Sequence, residues 1–185
     1  MILRRSAHSS LGRIARRAMA SKEMAYSEKR LIGFSREEMF EVVSNVERYH
    51  EFIPWCRSST VERPTGNSQI ATLEIGFPPF SEKYKSKVLY IKPSVVHSSV
   101  IGSDLFRTLD TTFRFGKGKE GFERSCQLHY DLTFEFQSEF HSRIAHLFFD
   151  KVVKTMVSAF LNRAAHEFGP PTFPHLPPNV LKYKS

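Results

Sequence analysis

The sequence predicts an α+β fold in which a curved antiparallel sheet of about seven strands wraps around one long C-terminal helix. Two observations support this prediction. Residues 140–168 contain neither Gly nor Pro and place apolar side chains at helical spacing, which predicts a helix of about eight turns. Residues 126–136 alternate strictly between apolar and polar, which predicts a long strand with one apolar face. A helix and a strand with such faces are expected to pack together.

The preceding chain predicts a first helix and the rest of the sheet. Residues 26–33 form the first predicted strand, and Ser35 with Glu38 forms a capping box that begins a helix continuing to Val46. Residues 49–56 predict one further turn of helix and a loop. The remaining strands are predicted at the spacing of a meander, over residues 58–62, 69–77, 82–91, 95–101 and 106–115. Gly169 and the two prolines after it end the long helix.

The charge distribution divides the chain into three parts. Residues 1–22 contain six of the 27 basic residues and no acid, and their Arg-rich, weakly amphipathic pattern is typical of a mitochondrial transit peptide. Without them, 21 bases and 19 acids remain, a net charge of +2, which argues against nucleic-acid binding. We predict a transit peptide over residues 1–24, one domain over residues 25–169 and a Pro-rich disordered tail over residues 170–185. A basic tail that binds anionic lipid or nucleic acid is the alternative for the first part.

No motif in the sequence indicates catalysis. Residues 116–121 match GxGxxG, but a strand rather than a helix follows, so we interpret them as a hairpin turn. The eight His are scattered, with no metal-ligand spacing, and the pattern predicts no metal and no cofactor. Cys56 and Cys126 lie in apolar patterns and are expected to be buried, reduced thiols. A binding pocket is the function that remains easiest to support.

The inward faces of the predicted elements are unusually aromatic. With 17 Phe in the chain, they fit either a solid core or an apolar cavity, and the pattern does not choose between the two. Hydroxyl groups among the inward positions, such as those of Tyr84, Tyr90 and Thr111, would orient a ligand in a cavity. The residues predicted to line it are Trp55, Leu73, Ile75, Tyr84, Val88, Leu109, Phe113, Tyr130, Leu132, Phe134, Phe149, Val152, Met156 and Phe160.

Two loops carry apolar residues where polar turn residues are usual, at residues 53–55 and 77–80. Leu147, Val157 and Leu161 also fall in the polar sector of the long helix. Exposed apolar loops indicate contact with a partner or a membrane, whereas packing against a neighbouring loop is an equally weighted alternative. The residues predicted to dock on a membrane are Trp55, Phe77, Phe80, Leu105 and Phe106.

Three segments carry a resemblance to a known family. Residues 49–56 (YHEFIPWC), 105–109 (LFRTL) and 148–154 (FFDKVVK) resemble the mitochondrial coenzyme Q-binding protein family of the START-like superfamily. The similarity runs from about residue 26 to residue 171. Phe113 departs from the family pattern, which has Trp at that place, so an aromatic ring is retained without the indole N–H.

The resemblance implies a helix-grip fold around an apolar cavity, with ubiquinone as the bound ligand. It also implies a peripheral location on the matrix face of the mitochondrial inner membrane. The expected role is that of a non-catalytic lipid chaperone, which delivers the quinone to respiratory or quinone-synthesis enzymes and supports respiration and ubiquinone biosynthesis. The alternatives are a cyclase-like START enzyme acting on an aromatic substrate, and a START-like protein-interaction module.

Overall fold

A computed structural model describes residues 23–62, 65–77, 80–137 and 139–185. It has two α-helices, α1 at Arg36–Ser44 and α2 at Glu139–Phe168, with a 3-10 helix at Val46–Glu51 between α1 and the second strand. None of the described helices is long and apolar enough to cross a membrane. The strands are β1 Met24–Ile32, β2 Cys56–Val61, β3 Ser68–Phe77, β4 Phe80–Ile91, β5 Val95–Gly102, β6 Phe106–Lys117, β7 Cys126–Phe136 and β8 Asn179–Lys184.

The strands form one antiparallel sheet with the order β2-β3-β4-β5-β6-β7-β1-β8. Strands β2 to β7 follow each other as a meander, and β1 then pairs with β7, with Tyr26 opposite Leu132. The predicted α+β class, with a curved antiparallel sheet and a long C-terminal helix, is confirmed. The sheet has eight strands rather than about seven because the C-terminal segment contributes β8.

Strand β7 follows the predicted alternation, and its inward face is covered by α2. The side chains of Cys126, Leu128, Tyr130, Leu132, Phe134 and Phe136 are all buried. The ring of Phe134 lies 5.6 Å from that of Phe149 on α2, and the ring of Phe113 on β6 lies 5.0 Å from that of Phe160. Helix α2 therefore runs antiparallel to β7 along the inside of the sheet.

Helix α1 begins with the predicted capping box. The Ser35 hydroxyl accepts a hydrogen bond from the Glu38 backbone N–H at 3.1 Å, and the Glu38 carboxylate accepts one from the Ser35 N–H at 2.8 Å. The same carboxylate accepts a hydrogen bond from Arg124 at 2.6 Å. These contacts satisfy backbone donors at the helix start and fix α1 next to the β6–β7 connection, where it packs against α2.

The β6–β7 connection is the turn that residues 116–121 predict. Strand β6 ends at Lys117, β7 begins at Cys126 and no helix lies between them. Gly121 has a φ of 79°, a left-handed conformation that glycine adopts without strain. The GxGxxG letters therefore belong to a hairpin and not to a dinucleotide site.

The prediction of a disordered tail over residues 170–185 is wrong for the part that forms β8. The Thr172 and Leu176 N–H groups donate to the carbonyl groups of Gly33 and Leu31 at 3.0 and 3.1 Å, and β8 then pairs with β1. Gly33 permits this approach, because a Cβ there would lie 2.8 Å from the Phe173 carbonyl oxygen. Order in this tail is supplied by the edge of β1.

Two other predictions need correction. The domain start predicted at residue 25 cuts into β1, since Met24 is 1% exposed and lies opposite Phe134. Val157 and Leu161, assigned to a polar sector of α2, are buried in the core. The reason is that α1 and β7 both pack against α2, so more than one apolar stripe of the helix is covered. The side chain of Leu147 lies outside the described part of the structure.

Candidate functional site

An apolar cavity of about 100 Å³ lies between the inner face of the sheet and helix α2. Every strand from β2 to β7 contributes to its wall, and α1, the 3-10 helix and α2 complete it. The lining consists of Val43, Val46, Tyr49, Ile53, Trp55, Cys56, Leu73, Ile75, Tyr84, Ser86, Val88, Val96, Ser98, Phe106, Leu109, Thr111, Phe113, Tyr130, Leu132, Phe134, Phe148, Val152, Met156 and Phe160.

Thirteen of the 14 residues predicted to line a cavity are part of this wall. They come together because the inward positions of successive antiparallel strands lie opposite one another, as Leu109 lies opposite Phe134. The exception is Phe149. It is fully buried, but its ring packs against Phe134 and against Tyr183 of β8, at 5.6 and 5.2 Å.

Eleven further residues line the cavity, and of these only Thr111 was expected to place a hydroxyl group inside it. The eleven are Val43, Val46, Tyr49, Ile53, Cys56, Ser86, Val96, Ser98, Phe106, Thr111 and Phe148. Several carry a signal that alternation provides. Ser86 lies two residues from both Tyr84 and Val88 and shares their face, and Thr111 stands in the same relation to Leu109 and Phe113. The residues of α1 and the 3-10 helix are placed by tertiary packing, which strand alternation does not reveal.

The polar groups of the wall are hydroxyls on neighbouring strands. Ser98 on β5 lies directly opposite Thr111 on β6, and Ser86 lies on the adjacent strand β4. All three line the cavity. The described lining residues include no carboxylate, imidazole or basic side chain, so the wall offers hydrogen bonds to a neutral ligand but no charged acid–base pair.

Tyrosine phenols add to these polar groups. Burial raises the pKa of Tyr49, Tyr84 and Tyr130 well above the ordinary value, so all three are neutral hydrogen-bond donors. The Tyr49 hydroxyl donates to the Val43 carbonyl at 2.5 Å. The Tyr130 hydroxyl is buried with no partner among the described residues.

Cys56 lines the cavity, but its thiol is not activated. Burial raises its pKa to about 11, so the thiolate that would act as a nucleophile is scarce at neutral pH. Burial likewise raises the pKa of Cys126, to about 12. Both thiols are free and buried, as the sequence pattern predicts.

A buried carboxylate lies beside the cavity wall. Glu28 is 1% exposed and lies opposite Tyr130, so it shares the inward face of the sheet. Its two oxygens accept hydrogen bonds from the Tyr26 hydroxyl at 2.6 Å and from Arg30 Nε at 2.7 Å. Glu28 is thus paired with Tyr26 and Arg30 on its own strand, and it is not among the lining residues.

The expectation that Trp55, Leu105 and Phe106 are exposed is wrong. They are 7%, 6% and 2% exposed, and Trp55 and Phe106 line the cavity. Backbone hydrogen bonds turn both loops inward: the Trp55 carbonyl accepts from Gly76 N–H at 2.8 Å, and the Leu105 carbonyl accepts from Gln137 N–H at 2.8 Å.

The remaining docking candidates are Phe77 and Phe80. They pair with each other at the end of the β3–β4 hairpin. Their side chains lie outside the described part of the structure, so their predicted docking role stays a prediction.

An antiparallel sheet that grips a C-terminal helix over an apolar cavity defines a START-like helix-grip domain. The fold matches the Zhui aromatase/cyclase of Streptomyces sp. R1128 with a TM-score of 0.68 and 10% identity, covering 78% of this chain and 95% of that one. It also matches a START superfamily protein of Mycobacterium smegmatis with a TM-score of 0.64 and 16% identity, covering 77% and 98%. At these identities the likeness establishes the fold alone.

The chain belongs to the family described as polyketide cyclase / dehydrase and lipid transport, whose model matches residues 32–161. It is 40% identical to the mitochondrial coenzyme Q-binding protein COQ10 homolog B of Xenopus laevis and 36% identical to the mitochondrial coenzyme Q-binding protein COQ10 of Drosophila melanogaster. Each match covers 82% of this chain and 62% of the relative, so the chain spans about three-fifths of those proteins. The resemblance to the coenzyme Q-binding family is confirmed.

A bacterial relative has a different name. The ribosome association toxin RatA of Vibrio cholerae is 31% identical over 77% of this chain and 96% of its own length. The relatives of this chain therefore include proteins named for coenzyme Q binding and proteins named for ribosome association.

Proposed function

We propose that this protein is a non-catalytic carrier of ubiquinone that binds the quinone in the cavity between the sheet and α2. The observation that carries the proposal is the combination of an apolar, hydroxyl-bearing cavity with 36–40% identity to relatives named coenzyme Q-binding proteins. A benzoquinone ring with an isoprenoid tail is apolar apart from its oxygens. A wall of aliphatic and aromatic side chains with a few hydroxyls suits that chemistry.

The size of the cavity indicates how the ligand is accommodated. Sites for drug-sized ligands begin at about 300 Å³, whereas this cavity holds about 100 Å³. We infer that entry of the quinone widens it by side-chain movement. Met156, a half-buried lining residue on α2, is suited to this because its unbranched thioether chain adapts to irregular contacts.

A binding role fits the wall better than an enzymatic one. A cyclase-like reaction needs an acid or base within reach of the substrate, but the described wall holds only neutral groups. Its Cys56 thiol has a raised pKa, and the neighbouring Glu28 is paired with Tyr26 and Arg30. No cofactor is required for such a role.

The proposed site of action is the matrix face of the mitochondrial inner membrane, where the protein exchanges quinone with the bilayer and delivers it to respiratory or quinone-synthesis enzymes. A carrier shields the isoprenoid tail from water, because exposing the tail costs about 0.8 kcal/mol per CH₂.

We propose the β3–β4 hairpin, with Phe77 and Phe80, as the membrane contact. Phe80→Ser should therefore weaken binding to liposomes and slow quinone transfer.

The direct test is to purify the protein from respiring cells, extract bound lipids and identify them by mass spectrometry. The proposal expects ubiquinone at close to one molecule per chain, and rebinding of added ubiquinone after extraction. Absence of quinone in both experiments would overturn it. Co-sedimentation with ribosomes in place of quinone binding would favour the function for which RatA is named.

A further inference from the structure

The two ends of the cavity differ in what surrounds them. At one end, Phe148 of α2 lies near Phe106 and Phe134, with ring separations of 6.4 and 5.7 Å. At the other end, Phe160 packs against Tyr49 and Phe52, both at 5.3 Å. Tyr49 belongs to the 3-10 helix, which packs on β2, and α1 packs on α2, so this second end is covered by helices. We call it the closed end.

Tyr130 lies at the closed end. It is opposite Phe113 on β6, with the two rings 4.7 Å apart, and the Phe113 ring in turn packs on Phe160. Tyr130 is completely buried, and its hydroxyl has no hydrogen-bond partner among the described residues. Two nearby phenols do have partners, since Tyr49 donates to the Val43 carbonyl and Tyr26 donates to Glu28.

An unpartnered buried hydroxyl is costly and therefore needs an explanation. Glu28 lies opposite Tyr130 on β1, but its oxygens accept hydrogen bonds from Tyr26 and Arg30 and none from the Tyr130 hydroxyl. Burial raises the pKa of Tyr130, so the phenol keeps its proton at neutral pH and can donate a hydrogen bond. A ligand that reaches the closed end with a hydrogen-bond acceptor would satisfy it.

We propose that Tyr130 is the anchor for the ligand's polar head: its hydroxyl donates a hydrogen bond to one carbonyl oxygen of the bound quinone. The ring then occupies the closed end, and the isoprenoid tail extends along α2 towards Phe106 and Phe148. This inference deepens the proposed function and rests on it. A carbonyl oxygen is the matching group because it accepts a hydrogen bond without having to donate one.

The test compares Tyr130→Phe with Tyr90→Phe. Tyr90 is a matched control because its hydroxyl is also buried and has no partner among the described residues. Contrary to the expectation from the sequence, Tyr90 does not line the cavity. The ligand is ubiquinone with a two-unit isoprenoid tail, carrying ¹³C at one ring carbonyl or the other. Binding is followed by quenching of Trp55 fluorescence, and the carbonyl stretching bands of the bound quinone are recorded by infrared spectroscopy.

In the wild-type protein and in Tyr90→Phe, one labelled carbonyl band should be shifted to lower frequency relative to the free quinone. In Tyr130→Phe that shift should vanish, and the Kd should rise about 2- to 13-fold, the value of one neutral hydrogen bond. Tyr90→Phe should change the Kd less than about twofold. The ligand-free Tyr130→Phe protein should be at least as stable as wild type, because it loses an unsatisfied buried group.

Three outcomes would overturn the inference. The first is quinone binding by Tyr130→Phe with unchanged Kd and unchanged carbonyl bands. The second is a loss of affinity with the band shift retained, which would make Tyr130 a packing residue. The third is a less stable ligand-free Tyr130→Phe, which would show that the hydroxyl is already paired. If the wild-type protein binds no quinone, the proposed function itself fails, and the inference fails with it.

Discussion

Val152 and Val153 are neighbours on α2, but they meet different surroundings. Both are buried, at 3% and 7% exposed, yet only Val152 lines the cavity. In Val152→Phe the added ring can occupy the cavity, so the melting temperature should change little. Quinone binding should be lost because the ring fills the space of the ligand. In Val153→Phe the ring must displace packed atoms, which should destabilise the protein by about 1–3 kcal/mol. Urea unfolding and quinone titration of both variants check this.

Comparison of Val152→Phe with Val153→Phe also defines the result that would contradict the prediction. If Val152→Phe loses as much stability as Val153→Phe and still binds quinone, this face of α2 is a solid core and the ligand binds elsewhere. Equal affinity in wild type and Val153→Phe, compared at a temperature where both are folded, is the control that the assay reports the cavity.

At the scale of single residues, strand positions are more predictable from the sequence than helix and loop positions. On β7 alternation correctly assigns every inward residue, because a strand has only two faces. On α2 the apolar surface is broader, and Phe149 on one flank meets Tyr183 while Val152 meets the cavity. Trp55 shows the difficulty of loops: an apolar loop residue is expected to be exposed unless the strands that cover it are known.

At the scale of elements, β8 is the feature that the sequence least predicts. Pro174, Pro177 and Pro178 make its surroundings resemble a disordered tail, and Val180 and Leu181 are about half exposed. The strand forms because β1 offers it an unpaired edge, which is a tertiary condition and not a local one. Helix α1, in contrast, carries its own start signal in the Ser35–Glu38 capping box and is predictable locally.

Tyr183 attaches β8 to the domain and provides a test of it. Its ring lies 6.1 Å from Tyr26 and 5.2 Å from Phe149, and its hydroxyl donates to Asp150 on α2. Tyr183→Ala should lower the free energy of unfolding by about 1–2 kcal/mol through loss of two aromatic contacts. Leu181→Ala, at an equally exposed position of the same strand, should change it by less than about 0.5 kcal/mol. Equal values for the two variants in urea unfolding would show that the Tyr183 contacts add no stability.

At the scale of the whole molecule, all six tyrosines share one electrostatic property. The pKa of each is raised, in Tyr90 to about 12 by burial and in Tyr183 to about 12 mainly by its hydrogen bond to Asp150. A raised folded-state pKa favours the protonated, folded form. The stabilisation is fully present below the ordinary tyrosine pKa of about 10. It is lost as the pH rises from 10 towards the folded values.

We therefore expect the melting temperature to fall steeply above pH 10, and tyrosinate absorbance to appear together with unfolding. The experiment is a pH series from 8 to about 12 followed by circular dichroism and ultraviolet absorbance. Tyrosinate that develops near pH 10 in a protein that is still folded would contradict the raised pKa values of these phenols.

The basic N-terminal segment differs in charge from the nearly neutral remainder, and this difference leads to predictions about truncated chains. Residues 1–22 hold six bases and no acid, and β1 begins just after them, with Met24 and Ala25 each 1% exposed. A chain that begins at Glu23 keeps both core residues and should match the chain from Met1 in melting temperature and quinone binding. A chain that begins at Tyr26 should be less stable.

If the basic segment is a targeting peptide, the chain from Glu23 should remain in the cytosol. Residues 1–22 fused to a fluorescent protein should direct that protein to mitochondria. Fluorescence microscopy and fractionation distinguish these outcomes, and mitochondrial import of the chain from Glu23 at the full-length level would refute the targeting role.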